Sequence, residues 1–368
     1  MIPLFKAISA PGIGKRVQAC FDSGYTGQGK RVEEFERELG KLWTTAHVLA
    51  LNSCTSAIHL ALRLANAGPG TEVIVTPMTC KATIDPIVER GAKIVWADID
   101  PWTGNIDMAD VRKKVSRETR AVIGVSWAGY PVDLSWDGPR DFRTIADHAH
   151  GVGIAPNADF NCYSFQSIKN MQTGDGGALV CRWNDDHKRG KLLRWYGMDR
   201  DSPKVEMRCE DDVAEHGYKF GMNDVTAVIG LEQLAQLPET LARQRKIADQ
   251  LDAAIMLMLA RPGLRAVHSC DSFVPWVYGL HAPNSEARDE AIELFKAEGV
   301  HASRVHVRCD THSCFAASRS DLPGVTEFDS TQFSIPCGWW MSDDDVQTVI
   351  RAVRKVNSAI SLKETVHV

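Results

Sequence analysis

No stretch of this chain is apolar for long enough to span a bilayer. Its first residues, MIPLFKAISAPGIGKRV, lack the apolar centre of a secretory signal. The ten cysteines contain no Cys-x-x-Cys pair and the twelve histidines no His-Glu-x-x-His pattern, which argues against a metal site. The cysteines are Cys20, Cys54, Cys80, Cys162, Cys181, Cys209, Cys270, Cys309, Cys314 and Cys337, and several lie inside apolar runs. They read as buried, reduced thiols in a cytoplasmic protein, not as a disulfide framework. Repeats and low-complexity segments are missing as well. There is no strong excess of either charge: 42 Lys+Arg stand against 47 Asp+Glu, a net −5. Nothing in that balance suggests a nucleic-acid surface or a polybasic membrane surface.

What is present is an ordinary globular composition, 368 residues with 44% hydrophobic, enough for a buried core and two domains. Residues 33–43 have the pattern of an amphipathic helix. Strand-like and helix-like segments then alternate: strand 48–51, helix 55–67, strand 72–76, helix 82–90 and strand 93–97. Further strands are predicted at 121–127, 142–146, 159–165 and 178–183. Such alternation implies an α/β fold with a mostly parallel sheet covered on both faces. After Gly230 the character changes. Residues 231–260 read as one long or broken helix leading into a smaller α+β domain, with helices at 288–298 and 343–356. The expected division is a large domain over 1–240, including an N-terminal segment, and a small C-terminal domain over 241–368.

In sheets of this kind ligands bind beyond the carboxyl ends of the strands. Three polar groups fall at such ends: Asn52-Ser-Cys-Thr-Ser56, Asp147-His-Ala-His150, and Ser164 leading to Lys169. Lys169 is followed by the turn Gly174-Asp-Gly-Gly177, and a lysine amine held beside such a turn can form a Schiff base with a carbonyl. Thr55 and Ser56 open a helix directly after a strand, where free N–H groups and the helix dipole favour a phosphate. Ser164 can add a hydroxyl to the same phosphate. Asp147 can pair with a protonated heterocyclic nitrogen, and His150 can touch a phenolic oxygen or the aspartate. Each residue also has an ordinary role open to it, as surface lysine, hairpin turn, helix cap or loop residue. Taken together, a phosphate anchor, a carboxylate and a lysine match what pyridoxal 5'-phosphate requires.

Ordered motifs then carry a resemblance. They include Ser23-Gly-Tyr-Thr-Gly-Gln-Gly29 with Val32-Glu-Glu-Phe-Glu36, and Asn52-Ser-Cys-Thr-Ser-Ala-Ile-His-Leu-Ala-Leu62. Gly91-Ala-Lys-Ile-Val-Trp-Ala-Asp-Ile-Asp100, Asn105-Ile-Asp107 and Gly129-Tyr-Pro-Val-Asp133 follow. Then come Ser164-Phe-Gln-Ser-Ile-Lys169 with Gly174-Asp-Gly-Gly177, and Gly217-Tyr-Lys-Phe-Gly-Met-Asn-Asp224 with Ile229-Gly-Leu-Glu-Gln-Leu234. From about Ile2 to Arg354 the chain resembles the DegT/DnrJ/EryC1/StrS family of pyridoxal phosphate-dependent sugar aminotransferases. The resemblance implies the type I, aspartate aminotransferase-like fold and a homodimer whose active sites are shared between subunits. It makes Lys169 the Schiff-base lysine and Asp147 the partner of the pyridine nitrogen. It sets His150 beside the ring hydroxyl and makes Thr55, Ser56 and Ser164 phosphate ligands.

Some positions depart from the family pattern. Cys80 stands where an aromatic ring usually stacks on the cofactor, and Cys54 replaces a common glycine. The 147–169 interval is shorter than is usual. Lys219 stands where many members have asparagine, in a segment that reaches the neighbouring subunit's phosphate. Near Ser303-Arg-Val-His-Val-Arg-Cys-Asp-Thr-His312 the family places substrate-facing residues; His306 is the first candidate there, before Arg308 or His312. The two tryptophans of Pro336-Cys-Gly-Trp-Trp340 read as core. The resemblance therefore implies a cytoplasmic aminotransferase that converts a nucleotide-linked 4-keto- or 3-keto-6-deoxyhexose to an amino sugar, with L-glutamate as donor. Rival readings are transamination of another keto-polyol, such as a keto-inositol or keto-octulosonate, and a non-enzymatic cofactor-binding sensor of the same fold. A keto-sugar dehydratase is a weaker rival, since those relatives carry histidine where this chain has Lys169.

Overall fold

The computed structural model describes residues 1–201, 212–258, 263–267 and 272–366. In chain order its first elements are α1 (Ile13–Asp22), α2 (Lys30–Trp43), β1 (Val48–Leu51), α3 (Cys54–Leu64), β2 (Glu72–Val75), α4 (Lys81–Glu89) and β3 (Lys93–Trp96). Next come α5 (Met108–Lys114), β4 (Thr119–Val125), β5 (Arg143–Asp147), β6 (Phe160–Ser164), β7 (Gly177–Cys181) and α6 (Asn184–Leu193). The chain continues through α7 (Asp224–Met256), β8 (Arg265–Ala266), β9 (Tyr278–His281) and α8 (Ser285–Ala297). It closes with α9 (Pro323–Thr331), β10 (Gln332–Ile335) and α10 (Asp343–Val366).

Strands such as Val-Leu-Ala-Leu (β1) and Gly-Ala-Leu-Val-Cys (β7) are buried along their whole length. They lack polar alternation because both faces of the sheet are covered. The seven strands lie in the order β1-β7-β6-β5-β4-β2-β3. Neighbours from β6 to β3 pair in parallel, and β7 runs antiparallel to both β6 and β1. The register aligns Ser164 and Leu51 with Gly177, and Val125 with Asp147. One edge of the sheet therefore collects the ends of β1, β4, β5 and β6 and the start of β7. A second sheet, β10-β9-β8, is antiparallel and stands with α8, α9 and α10 in the C-terminal part.

The expected large-domain strands are all present, within a few residues of their expected bounds. The predicted helix 231–260 instead begins at Asp224, because Asn223 caps it by accepting the Thr226 N–H at 2.9 Å. It continues through Pro238 to Met256; Ala260 lies outside the described residues. The small antiparallel sheet and α1, α5, α6 and α9 had no clear sequence signature. Eight cysteines are described and all are free thiols; six are buried as expected, but Cys80, at the N-cap of α4, and Cys314 are exposed. Cys209 and Cys270 lie outside the described residues. No helix among the described residues is long and apolar enough to cross a membrane.

Two close approaches lock the sheet edge. A Cβ added to Gly177 would meet Cys54 N at 2.4 Å, so glycine lets β7 press its backbone against the first turn of α3. The second approach ties α7 to α2. Asp224, only 4% exposed, accepts the N–H groups of Gly29 at 2.8 Å, Val32 at 3.1 Å and Arg31 at 3.3 Å. A carboxylate from nearly two hundred residues away thus satisfies the open N-terminus of α2, whose own cap residue is Gly29 and offers no side chain. Replacing Asp224 with Ala is expected to lower the unfolding free energy by about 2–3 kcal/mol in urea titration, from the lost cap and the stranded N–H groups. Asp224→Asn, which retains one carbonyl oxygen, should lose clearly less. Equal losses in both variants would show that the cap is not what Asp224 supplies.

Candidate active site

The collected strand ends open onto a cavity of about 370 Å³. Asp147, Lys169, Ser164 and Thr55 line it, together with Cys80, His150 and His306. A wider groove of about 750 Å³ runs past Lys81, Trp96 and Phe315 but holds none of these groups. The smaller cavity is the candidate site because a carboxylate, a lysine and a helix start converge there.

Asp147 ends β5 and is 3% exposed. Its Oδ1 accepts the Ala149 N–H at 3.0 Å and lies 3.7 Å from the Cys54 thiol. Its Oδ2 accepts the Thr83 hydroxyl at 2.9 Å, and Thr83 is in turn 2.9 Å from the hydroxyl of Thr79. Burial pushes the Asp147 carboxyl upward, against the opposing pull of these donors and of Lys169. Cys54, pushed well above its ordinary range by burial and then by Asp147, remains a neutral thiol.

Lys169 sits in the 165–176 connection between β6 and β7, folded back on itself by Phe165 N–H to Gly176 O at 2.9 Å and Thr173 N–H to Phe165 O at 2.8 Å. Its chain neighbours are anchored from far away. Trp276 Nε1–H donates to Ile168 O at 2.8 Å, and Asn170 Nδ2 donates to Pro275 O at 2.9 Å and to Gln244 Oε1 at 3.0 Å. Lys169 Nζ stands 3.7 Å from the centroid of the Trp276 ring, a cation–π distance. Burial lowers its pKa to about 8, while the Asp147 carboxylate holds it up.

Ser53 caps α3: its hydroxyl accepts the Ser56 N–H at 3.0 Å. The N–H groups of Cys54 and Thr55 have no partner among the described residues, as expected of a first helical turn. The Ser56 hydroxyl is spent on Asn52 Oδ1 at 2.6 Å and Ser53 Oγ at 2.9 Å and is not part of the cavity wall. Lys219 also lies off the wall, with Nζ over the Trp195 ring, although Asn52 Nδ2 donates to its carbonyl at 3.3 Å. Arg308 is held by Asp310 at 2.7 and 2.8 Å, away from the cavity. His312 is exposed.

His150 is buried, with its ring stacked on Trp276 at a centroid distance of 4.0 Å, and Trp276 also stacks on Phe5 at 4.9 Å. His150 Nδ1 accepts the Ala128 N–H at 3.2 Å, and its Nε2 is 3.3 Å from His306 Nε2. Burial, then the charges of Lys169 and His306, pushes His150 well below its usual range; burial and Lys169 bring His306 to about 4. Both imidazoles are therefore neutral at ordinary pH. Trp276, Thr83 and Phe5 escaped sequence reasoning. Thr83 could have been found, since it lies in the first turn of α4, the helix that follows β2; Trp276 and Phe5 reach the cavity from remote segments that carry no motif. Cys80 brings no ring to the wall, whereas Trp276 does.

The sequence model of the DegT/DnrJ/EryC1/StrS aminotransferase family matches residues 10–354. The spore coat polysaccharide biosynthesis protein SpsC of Bacillus subtilis (strain 168) is 32% identical, covering 96% of this chain and 97% of its own. Among solved structures, AtS13 from Actinomadura melliaura is 35% identical with a TM-score of 0.88, covering 96% of this chain and 98% of its own. The sugar aminotransferase CalS13 from Micromonospora echinospora is 32% identical with a TM-score of 0.87, covering 96% and 100%.

The lowered lysine has a chemical signature. In cofactor-free protein, reductive methylation of Lys169 by formaldehyde and cyanoborohydride, followed by peptide mass spectrometry, should rise through a midpoint of about pH 8. Surface lysines titrate roughly two units higher. Asp147→Asn removes the charge that retains the proton, so the Lys169 midpoint should fall further. An unshifted or raised midpoint in that variant would contradict the electrostatic account.

Proposed function

The chain belongs to the DegT/DnrJ/EryC1/StrS aminotransferase family, whose members use pyridoxal 5'-phosphate and act on sugars, and from that premise we propose that it moves the amino group of L-glutamate onto a nucleotide-linked keto-hexose. The observation that carries this reading is the convergence of Lys169, Asp147 and the start of α3 on one cavity.

The walls fit the cofactor on three counts. Thr55 and Cys54 present unpaired N–H groups at a helix N-terminus, suited to a phosphate, with the Thr55 and Ser164 hydroxyls beside them. Asp147 has two donors on Oδ1 and one on Oδ2, leaving a lone pair for a protonated ring nitrogen. Gly176 lines the cavity with backbone alone, so no side chain takes up space at that part of the wall. Bound there, pyridoxal phosphate supplies a carbonyl that takes up amino groups and a protonated ring that withdraws electrons.

The chain's own residues do the rest. Lys169 is the group for covalent attachment, and with a pKa of about 8 its Nζ can hold a proton and give it back near neutral pH. Asp147, deep and hydrogen-bonded, would hold the ring nitrogen and favour its protonated form. His150, Trp276 and Phe5 form an aromatic wall that limits water. His306 faces the substrate side, and Cys80, exposed at the rim, leaves more room there than an aromatic ring would. We further propose a homodimer in which Lys219, exposed on its own subunit, serves the neighbouring site.

Holoenzyme given L-glutamate should release one equivalent of 2-oxoglutarate per site, measured with a coupled dehydrogenase. A panel of nucleotide-linked keto-hexoses and keto-polyols should then be screened for return of the cofactor's original absorbance. Lys169→Ala should reduce both half-reactions by about 10²–10⁴-fold. Failure to release any 2-oxoglutarate, with cofactor bound, would favour a non-enzymatic binding protein.

A further inference from the structure

The turn after β4 has an unusual backbone. Ala128 is left-handed with φ 53°, a conformation a residue with a Cβ rarely adopts, and Gly129 follows with φ 105°. A Cβ on Gly129 would fall 1.8 Å from Val274 O, so the turn is pressed against the stretch leading to Trp276. The same turn grips both partners of a stack. The Ala128 N–H donates to His150 Nδ1 at 3.2 Å, and Ala128 O accepts the Trp276 N–H at 3.2 Å. His150 and Trp276 are the rings that lie face to face.

Proton positions follow from this geometry. A neutral imidazole whose Nδ1 accepts an N–H must carry its own proton on Nε2. His150 Nε2–H then points at His306 Nε2, 3.3 Å away, and His306 Nε2 must be the acceptor. A neutral His306 with an accepting Nε2 carries its proton on Nδ1. That Nδ1 has no acceptor among the described residues and is not sealed from solvent, and His306 lines the cavity. His150, by contrast, has both nitrogens spent on protein.

We propose that Ala128, His150 and His306 form a tautomer relay that holds His306 as an Nδ1–H donor, aimed at an oxygen atom that cofactor or substrate brings into the cavity. His150 is a positioning residue in this relay, acting through His306. The left-handed turn at Ala128 sets the direction of the first N–H. Use of the donor rests on the aminotransferase reading; the tautomer itself does not.

The test is imidazole ¹⁵N NMR of ¹⁵N-histidine-labelled protein, with His306 assigned by its absence from H306N. Wild-type His306 should show a protonated Nδ1 and an unprotonated Nε2, and His150→Phe should release it into a tautomer mixture. A protonated Nε2 on wild-type His306, or an unchanged tautomer in H150F, overturns the relay without reference to turnover. Pyridoxal 5'-phosphate added to cofactor-free protein, and a nucleotide-linked 4-keto-6-deoxyhexose added to holoenzyme, are then compared. The addition that moves the His306 Nδ1–H resonance identifies the source of the oxygen; if neither moves it, the donor role is wrong. His306→Asn, whose amide can replace an Nδ1 donor, should bind that ligand within about threefold of wild type, whereas His306→Gln, which extends towards His150 instead, should lose about tenfold, the worth of one hydrogen bond. Equal losses in the two variants would count against the donor assignment.

Discussion

The site depends on a carboxylate kept out of water. Burying Asp147 without partners would be prohibitive, and the fold answers with donors from three separate elements: a backbone N–H just past β5, a hydroxyl from α4 and a thiol from α3. Each donor fixes the position of its own element relative to β5. Asp147 is therefore a structural junction as well as a chemical group, and the cavity's shape follows from satisfying it. Lys169 feels the same burial with opposite sign. Removal from water drives its proton off and the Asp147 charge holds it on, and the balance falls near the pH at which an amine can work in both directions. The histidines have no such carboxylate against them, so burial wins and they stay neutral.

The sheet topology explains why these groups meet. Parallel strands put their carboxyl ends on one edge, which brings Asp147 and Ser164 together. A wholly parallel sheet would have required a long crossover after β6. Instead β7 turns back antiparallel, so the connection carrying Lys169 stays at the same edge, and β7 begins against the first turn of α3 with no side chain between them. The glycine turn that looked like a plain hairpin in the sequence serves as the contact through which the lysine loop meets the phosphate-type helix start.

Legibility followed locality. The convergence of Lys169, Asp147, Thr55 and Ser164 on one cavity could be read because each stands within a few residues of a strand end, and the alternating pattern that defines the strands is itself local. Ser56 shows the limit of such reading: spacing placed it beside Thr55, but its hydroxyl turns back to Asn52, a choice made by side-chain geometry. Trp276 and Phe5 were invisible for another reason. They stack on each other across most of the chain, and no pattern near either one encodes the other. The position of Cys80 suggested a wall without an aromatic ring. The ring arrives from the stretch before β9, so the loss at one position says little about the cavity until the whole fold is assembled. The small C-terminal sheet was missed for a different reason: β8 has two residues, and β9 and β10, though as long as β1, β2 and β3, lie outside the strand–helix alternation that marked those three.

The cavity wall carries one lysine and, among the described residues, no arginine. If Lys169 is the residue of covalent attachment, as proposed, a bound phosphate has to be held by direction rather than by net charge, through helix-start N–H groups and hydroxyls whose dipoles are fixed by the fold. Such a site accepts an anion of the right shape without lowering the Asp147 carboxyl or further depressing the Lys169 amine, as a neighbouring guanidinium would do. It also leaves no second lysine and no arginine on the cavity wall to grip the diphosphate of the proposed nucleotide-linked substrate. Arg308 and Lys219 stand outside it, the first held by Asp310 and the second over Trp195. On the proposed reading, recognition of the nucleotide and chemistry at the sugar carbon are separated in space: the cavity can keep its proton balance while substrate charge is met elsewhere, on the rim or on the proposed second subunit.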